Sequence, residues 1–284
     1  CQHCDVALTY YKKADLLRCH YCGFTQQPPS KCKSCGETDI RQYGFGTEKI
    51  EDELQIFFPE HNIARLDLDS TRGKHAYSEI ISRFETGETD ILVGTQMVTK
   101  GLDFDNVSLV GILNADNLIN FPDFRAYERS FQMLMQVSGR AGRKKEQGKV
   151  IIQSYNPGHT ILNLVVKNDF KSFINFEMSE RKKFNYPPFS RLLEITVKGR
   201  DDSKTTQAAD FLTKELKKQL PSTLGPVTPP VSRIKNFYIK TILIKFSRQA
   251  KLNDTRSMML SAIDRFKINP VSKNIILQID VDPI

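Results

Sequence analysis

All six cysteines of this 284-residue chain fall within its first 35 positions, as Cys1-x-x-Cys4, Cys19-x-x-Cys22 and Cys32-x-x-Cys35. Two residues between thiols set both sulfurs on one tight turn, at the bite a tetrahedral ion needs. Cys1, Cys4, Cys19 and Cys22 therefore make one complete Cys4 site at close to zinc-ribbon spacing. Cys32 and Cys35 are left as half of a second site. The simplest completion is a fourth C-x-x-C upstream of Cys1; His3 or His20 is the alternative, although each lies inside a turn and is expected to point away. A disulfide framework is disfavoured, because the remaining residues contain no cysteine and have an intracellular character. A zinc ion held by four thiolates carries about −2 locally, which nearly cancels the +3 of residues 1–36. The metal's first role is structural, standing in for a core in a short segment.

A second chemistry-bearing group lies between residues 95 and 143. Thr95, Gln96, Lys100, Gly101 and Asp103 stand in "TQMVTKGLDF", and Gln136, Arg140 and Arg143 in "QVSGRAGR". Glycines let backbone approach a phosphate closely, and arginines grip it in a fork that lysine cannot copy. No G-x-x-x-x-G-K-[ST] phosphate loop accompanies them. A basic solvated turn is the plain alternative for the arginines, and a helix-start or turn residue for Asp103.

The elements that must position these groups alternate. Residues 47–58 read as an amphipathic helix with Thr47 as N-cap, 62–69 as a strand, 76–87 as a helix and 90–95 as a buried strand. Strands at 107–113 and 148–155 bracket a long helix at 125–139. Helices between short Val/Ile/Leu strands predict a parallel sheet covered on both faces, with ligands gathered beyond the carboxyl ends of the strands. Residues 158–183 are helical, and Pro187-Pro188 ends that run. Beyond it the order is strand 192–199, helix 203–220, strand 227–234, strand 237–246, helix 252–267 and strand 274–281: a βαββαβ ferredoxin-like sandwich. The expected domains are a zinc module at 1–36, an α/β lobe at 37–157, a helical connector at 158–190 and the α+β domain at 191–284.

T-x-x-x-x-x-G-x-D-F followed by Q-x-x-G-R-x-G-R resembles motifs V and VI of superfamily 2 helicases. Together with the cysteine turns, "GFGTEKIEDEL", "RLDLDSTRGK", "ILVGTQMVTKGLDFDNVSLVGILNAD", "FPDFRAYER" and the terminal "IDVDPI", the chain resembles the primosomal protein N-prime (PriA) family of replication restart helicases essentially end to end. The resemblance implies a RecA-like second helicase lobe, four C-x-x-C pairs holding two zinc ions, and a first lobe upstream that carries the Walker loop and acidic box. It also implies that Arg140 and Arg143 face ATP and Mg2+ held by that first lobe, that Gln136 positions the attacking water, that Gly101 allows backbone approach, and that Asp103 binds the ribose or braces an arginine. A DNA strand would cross Gly46-Thr47, Thr71, Arg72, Thr95 and Lys100 through its phosphates; each of these has a cap or exposed-loop alternative. Partners implied are forked and single-stranded DNA, primosome proteins and single-strand-binding protein, in the bacterial cytoplasm at the nucleoid. The expected activity is 3′–5′ unwinding that reloads replication at stalled forks, with no ATPase from this chain alone.

Charge agrees with a nucleic-acid partner but does not require it. The net +8 divides into +3 over residues 1–36, −9 over 37–139, +6 over 140–183, +1 over 184–199 and +7 over 200–284, and basic surfaces attract phosphates. Lys-rich faces that only confer solubility are the bland alternative. A non-catalytic zinc-containing nucleic-acid or partner-binding module on a helicase-like scaffold is the rival function. No apolar run approaches the roughly 20 residues of a membrane span. The chain opens on Cys1 rather than Met, the mark of a fragment or a processed start. Asp116 and the 121–129 segment carry no evident chemistry and are expected to be structural, with Asp123, Arg125, Glu128 and Arg129 forming a charged network that orders the loop before the long helix.

Overall fold

The computed structural model describes residues 1–32, 34–40, 46–98, 107–139 and 148–283. It comprises two compact units: Cys1–Gln42 together with Ser179–Ile284, and Tyr43–Met178.

The Cys-rich segment is a small antiparallel sheet of Thr9–Tyr11 (β1), Leu16–Arg18 (β2) and Thr25–Gln26 (β3). Asp15, at φ 44°, turns the chain between β1 and β2, and its carboxylate accepts from the Tyr10 hydroxyl at 2.8 Å.

The second unit begins with Thr47–Phe57 (α1), Ile63–Leu66 (β4), Ala76–Glu85 (α2) and Ile91–Gly94 (β5). Gly46, not Thr47, is the N-cap of α1, and no side chain caps it. β4 and β5 run parallel, paired from Ile63↔Ile91 to Leu66↔Gly94. Leu66 and Ile81 are buried beneath α2 with Ile80, Phe84 and Leu92 packed around them. The chain continues through Leu109–Ile112 (β6), Asp116–Ile119 (α3), Ala126–Ser138 (α4), Lys149–Ile152 (β7), Thr160–Val166 (α5) and Phe170–Lys183 (α6). β6 and β7 form a second parallel pair. Among the described residues the four strands thus make two parallel pairs, where the sequence predicts one parallel sheet. A second core joins α3, α4, α5 and α6 through Ile119, Phe131, Leu134, Ile161, Val165 and Phe173. Asn168, at φ 52°, separates α5 from α6.

In the first unit, the chain after α6 forms Ser190–Gly199 (β8), Asp202–Lys217 (α7), Thr223–Val227 (β9), Arg233–Ile234 (β10), Phe237–Ser247 (β11), Leu252–Ile268 (α8) and Ile276–Val281 (β12). The sheet runs β10-β11-β8-β12, with β9 also paired to β11, and every pairing is antiparallel. This is the expected ferredoxin-like order. Alternate residues Leu193, Ile195 and Val197 of β8, with Ile242 and Ile244 of β11, face Ala208, Leu212 and Leu216 of α7 and Ile263 and Phe266 of α8. The expected strand at 227–234 is corrected: β9 ends at Val227 and β10 begins at Arg233. Pro229 and Pro230 stand between them, without the N–H that a ladder needs.

Candidate functional site

Both metal-ligating turns are fixed by backbone. Cys4 lies before β1, and Cys19-His-Tyr-Cys22 joins β2 to β3. In the second turn the Cys19 amide donates to the Phe24 carbonyl at 2.9 Å, and the Gly23 amide to the Cys19 carbonyl at 3.0 Å. Gly23 sits at φ 77°, where a side chain would be strained. The four sulfurs of Cys1, Cys4, Cys19 and Cys22 lie within 4.8 Å of one another, and Cys4 and Cys19 are 1% exposed. Tetrahedral Zn–S bonds of about 2.3 Å require sulfurs roughly 3.8 Å apart, so the donor set fits one zinc ion. Amides are already aimed at the sulfurs: His3 at Cys1 at 3.4 Å, Phe24 at Cys22 at 3.5 Å and Lys235 at Cys4 at 3.2 Å. Burial would raise the Cys19 thiol, but the amides of Cys22 and Tyr21 and the neighbouring thiols pull it below its usual value.

Cys32 and Cys35 form the same kind of turn, with the Cys32 amide donating to Glu37 at 2.7 Å and the Gly36 amide to Cys32 at 2.9 Å. Among the described residues, no third ligand joins this pair in a metal-holding cluster. Among the described residues His3 is not part of a metal-holding cluster either, and its Nδ1 lies 3.1 Å from the Asn236 side-chain nitrogen. The His20 ring lies 6.2 Å from that of Tyr11.

In the second unit, the residues flagged for phosphate contact collect at one end of β4 and β5. Asp67, which the sequence analysis did not single out, organises them. Its Oδ1 accepts from the amides of Asp69 at 2.9 Å and Ser70 at 2.8 Å. Its Oδ2 accepts from the Thr47 hydroxyl and lies 3.2 Å from Arg65 Nε. Its carbonyl accepts from the Thr71 hydroxyl at 2.6 Å, and Asp69 pairs with Arg72. Asp67 is 8% exposed; burial would raise its pKa, but the Thr47 hydroxyl, the Ser70 amide and Arg65 together hold it below the usual range. The start of α1, at Gly46-Thr47, is thereby tied to the carboxyl end of β4. Thr95 follows β5 directly and is exposed. Gly94 is required just before it, because a Cβ there would lie 2.7 Å from the Leu66 carbonyl and 2.0 Å from Val98. The "DLDST" turn carried the signal, as an aspartate two residues before a second aspartate and three before a serine, directly after a strand.

Gln136 is exposed on the last turn of α4. Lys100, Gly101, Asp103, Arg140 and Arg143 lie outside the described residues. Asp116 proves structural. It opens α3 and accepts from the Ser154 hydroxyl and the Tyr155 amide, both at 2.9 Å. The 121–129 segment is a charged network, with Arg129 2.7 Å from Asp123, Arg125 3.4 Å from Glu128, and the Arg125 amide donating to Asp123.

Three family models match the chain: "PriA DNA helicase Cys-rich region (CRR) domain" over residues 1–27, "Helicase conserved C-terminal domain" over 43–145, and "Primosomal protein N C-terminal domain" over 182–284. The fold and the matched segments define the class: a helicase C-terminal lobe, preceded in sequence by a zinc-ribbon module and followed by an α+β domain. Curated relatives named replication restart protein PriA align over the whole chain, at 38% identity in Bacillus subtilis, 39% in Synechocystis and 37% in Treponema pallidum. The chain belongs to the PriA family, and it spans 35%, 34% and 43% of the length of those three relatives. Among the described residues, no helix is long and apolar enough to cross a membrane.

Proposed function

We propose that this chain is the second lobe, zinc module and C-terminal domain of an ATP-dependent 3′–5′ DNA helicase that recognises stalled forks and starts primosome assembly in the bacterial cytoplasm. The observation that carries the reading is the gathering of Gly46, Thr47, Thr71, Arg72 and Thr95 at one end of β4–β5. Such a rim of small hydroxyl side chains, helix-start backbone and a cation suits sugar-phosphate backbone rather than base edges. Lys100 extends it by sequence position. Gln136 on the last turn of α4, with Arg140 and Arg143 after it in sequence, would act on ATP and Mg2+ held by the first lobe of the longer protein, with Gly101 and Asp103 bordering the nucleotide. Without a phosphate loop this chain alone is inactive. Forked and single-stranded DNA, single-strand-binding protein and primosome proteins are the partners that this reading names.

Arginines set against a transferring γ-phosphoryl contribute roughly 10³–10⁵ in rate. In the longer protein, Arg143→Lys should therefore cut DNA-stimulated ATP hydrolysis by at least about a thousandfold while fork binding persists. Near-normal hydrolysis would falsify the role given to Arg143.

A further inference from the structure

Each sulfur of the Cys4 cluster faces an amide, but the amide at Cys4 comes from the far end of the chain. Lys235 and Asn236 are the two-residue tip of the β10–β11 hairpin, closed by Arg233↔Tyr238 and Ile234↔Phe237. Both have positive φ, 50° and 62°, the backbone of a type I′ turn whose twist matches its strands. Arg200 steadies the tip from the end of β8, with its guanidinium 4.0 Å from the Phe237 ring and a hydrogen bond to the Lys235 carbonyl. The first cysteine turn docks on this tip residue by residue. Asp5 donates its amide to the Arg233 carbonyl and Asn236 donates its amide to the His3 carbonyl, each at 2.8 Å. The Ser232 hydroxyl donates to the Asp5 carboxylate at 2.6 Å, and the Asn236 side chain meets the His3 ring. Between these contacts the Lys235 amide points at Cys4 Sγ.

We propose that the β10–β11 hairpin tip is the outer shell of the zinc site, so that metal loading latches the Cys-rich module onto the C-terminal domain. The reasoning is electrostatic. Four thiolates around one zinc leave a net charge of about −2, and an N–H aimed at a buried sulfur is worth most when that sulfur is charged and held in place. A loaded site therefore favours the docked hairpin. The hairpin in turn holds Cys4 for the metal, since outer-shell groups orient ligands and set affinity. The contact is made by backbone and short polar side chains at a tight turn, so it depends on the position of the cysteine turn rather than on a broad apolar interface. The inference does not depend on the helicase reading.

Two measurements on the 284-residue chain test it, both independent of any enzymatic activity. Under reducing conditions, amide hydrogen exchange is compared before and after chelation. Protection over 233–236 should fall by at least about tenfold on zinc removal, the scale of outer-shell effects, while the amides of Ile195 and Ile242 in the central ladder stay protected. Unchanged protection at the tip overturns the proposal, and so does loss throughout β8 and β11, which would mean global unfolding rather than an unlatched tip. The second measurement follows zinc transfer to a chromogenic chelator from the Ser232→Ala, Asn236→Gly double variant. The glycine keeps the positive φ, and neither residue is a ligand. Transfer should be about tenfold faster than in the unmodified chain; an equal rate, or a chain that holds no zinc at all, overturns the proposal.

Discussion

Asp67 shows how one carboxylate decides where its neighbours stand. Oδ1 holds the 67–70 turn, and Oδ2 holds Thr47 and Arg65. Asp67→Asn keeps the first pair of contacts but turns an amide nitrogen toward Arg65. With the ion pair to Arg65 gone and the Thr47 hydroxyl no longer facing a charged oxygen, it should cost about 1.5–3 kcal/mol at pH 7, the range for hydrogen bonds to charged groups, as read by urea unfolding. The sign of the pH dependence follows from a pKa held low in the folded state. The stabilisation is fully present above the unfolded carboxylate value of about 3.9 and is lost as pH falls through the lower folded value. The gap between parent and variant should therefore be largest near neutrality and shrink toward pH 3. A gap that grows with acid would contradict the assignment. Sequence reasoning reached Thr71 and Arg72 through letters around this aspartate, and Thr47 as the start of a helix. It missed Asp67 itself, because a carboxylate's importance comes from the donors that surround it and those lie 20 residues away at Thr47.

At the level of elements, periodicity was informative wherever one face is buried. Long helices such as α4 and α7, and strands such as β8, came within a few residues of their observed bounds. Helix α4 is fixed by Phe131, which is 2% exposed and stacks on Phe173 of α6 with centroids 4.0 Å apart and planes at 5°. Phe131→Ala should lower stability by about 3–5 kcal/mol, the usual cost of emptying a core aromatic site. Circular dichroism during denaturation would measure it, and a loss under about 1 kcal/mol would mean that the site collapses to fill itself. Short elements were harder to read. α3 spans four residues and rests on the Asp116 contacts with Ser154 and Tyr155, which local pattern does not reveal. β9 was placed too late because "VTPPV" has β-branched residues, yet its two prolines cannot join a ladder.

At the scale of the molecule, the distribution of cysteine predicts stoichiometry. One complete four-sulfur cluster is present among the described residues, and Cys32–Cys35 is a shaped but two-ligand turn. Zinc content of the purified chain should be close to one per chain by elemental analysis; two per chain would require ligands beyond the cluster. Sequence by itself determined the four-cysteine ligand pattern, the alternation of helix and strand, the ferredoxin-like order and the family. Each is written in local spacing: two residues between thiols, period two or 3.6 in apolar positions, and motif letters in a fixed order. Tertiary structure alone decided that Asp67 ties α1 to β4, and that Lys235 hands its amide to Cys4 across 231 residues of chain. Contacts of that kind are made when the chain folds back on itself, and a backbone N–H has no side-chain letter to announce them.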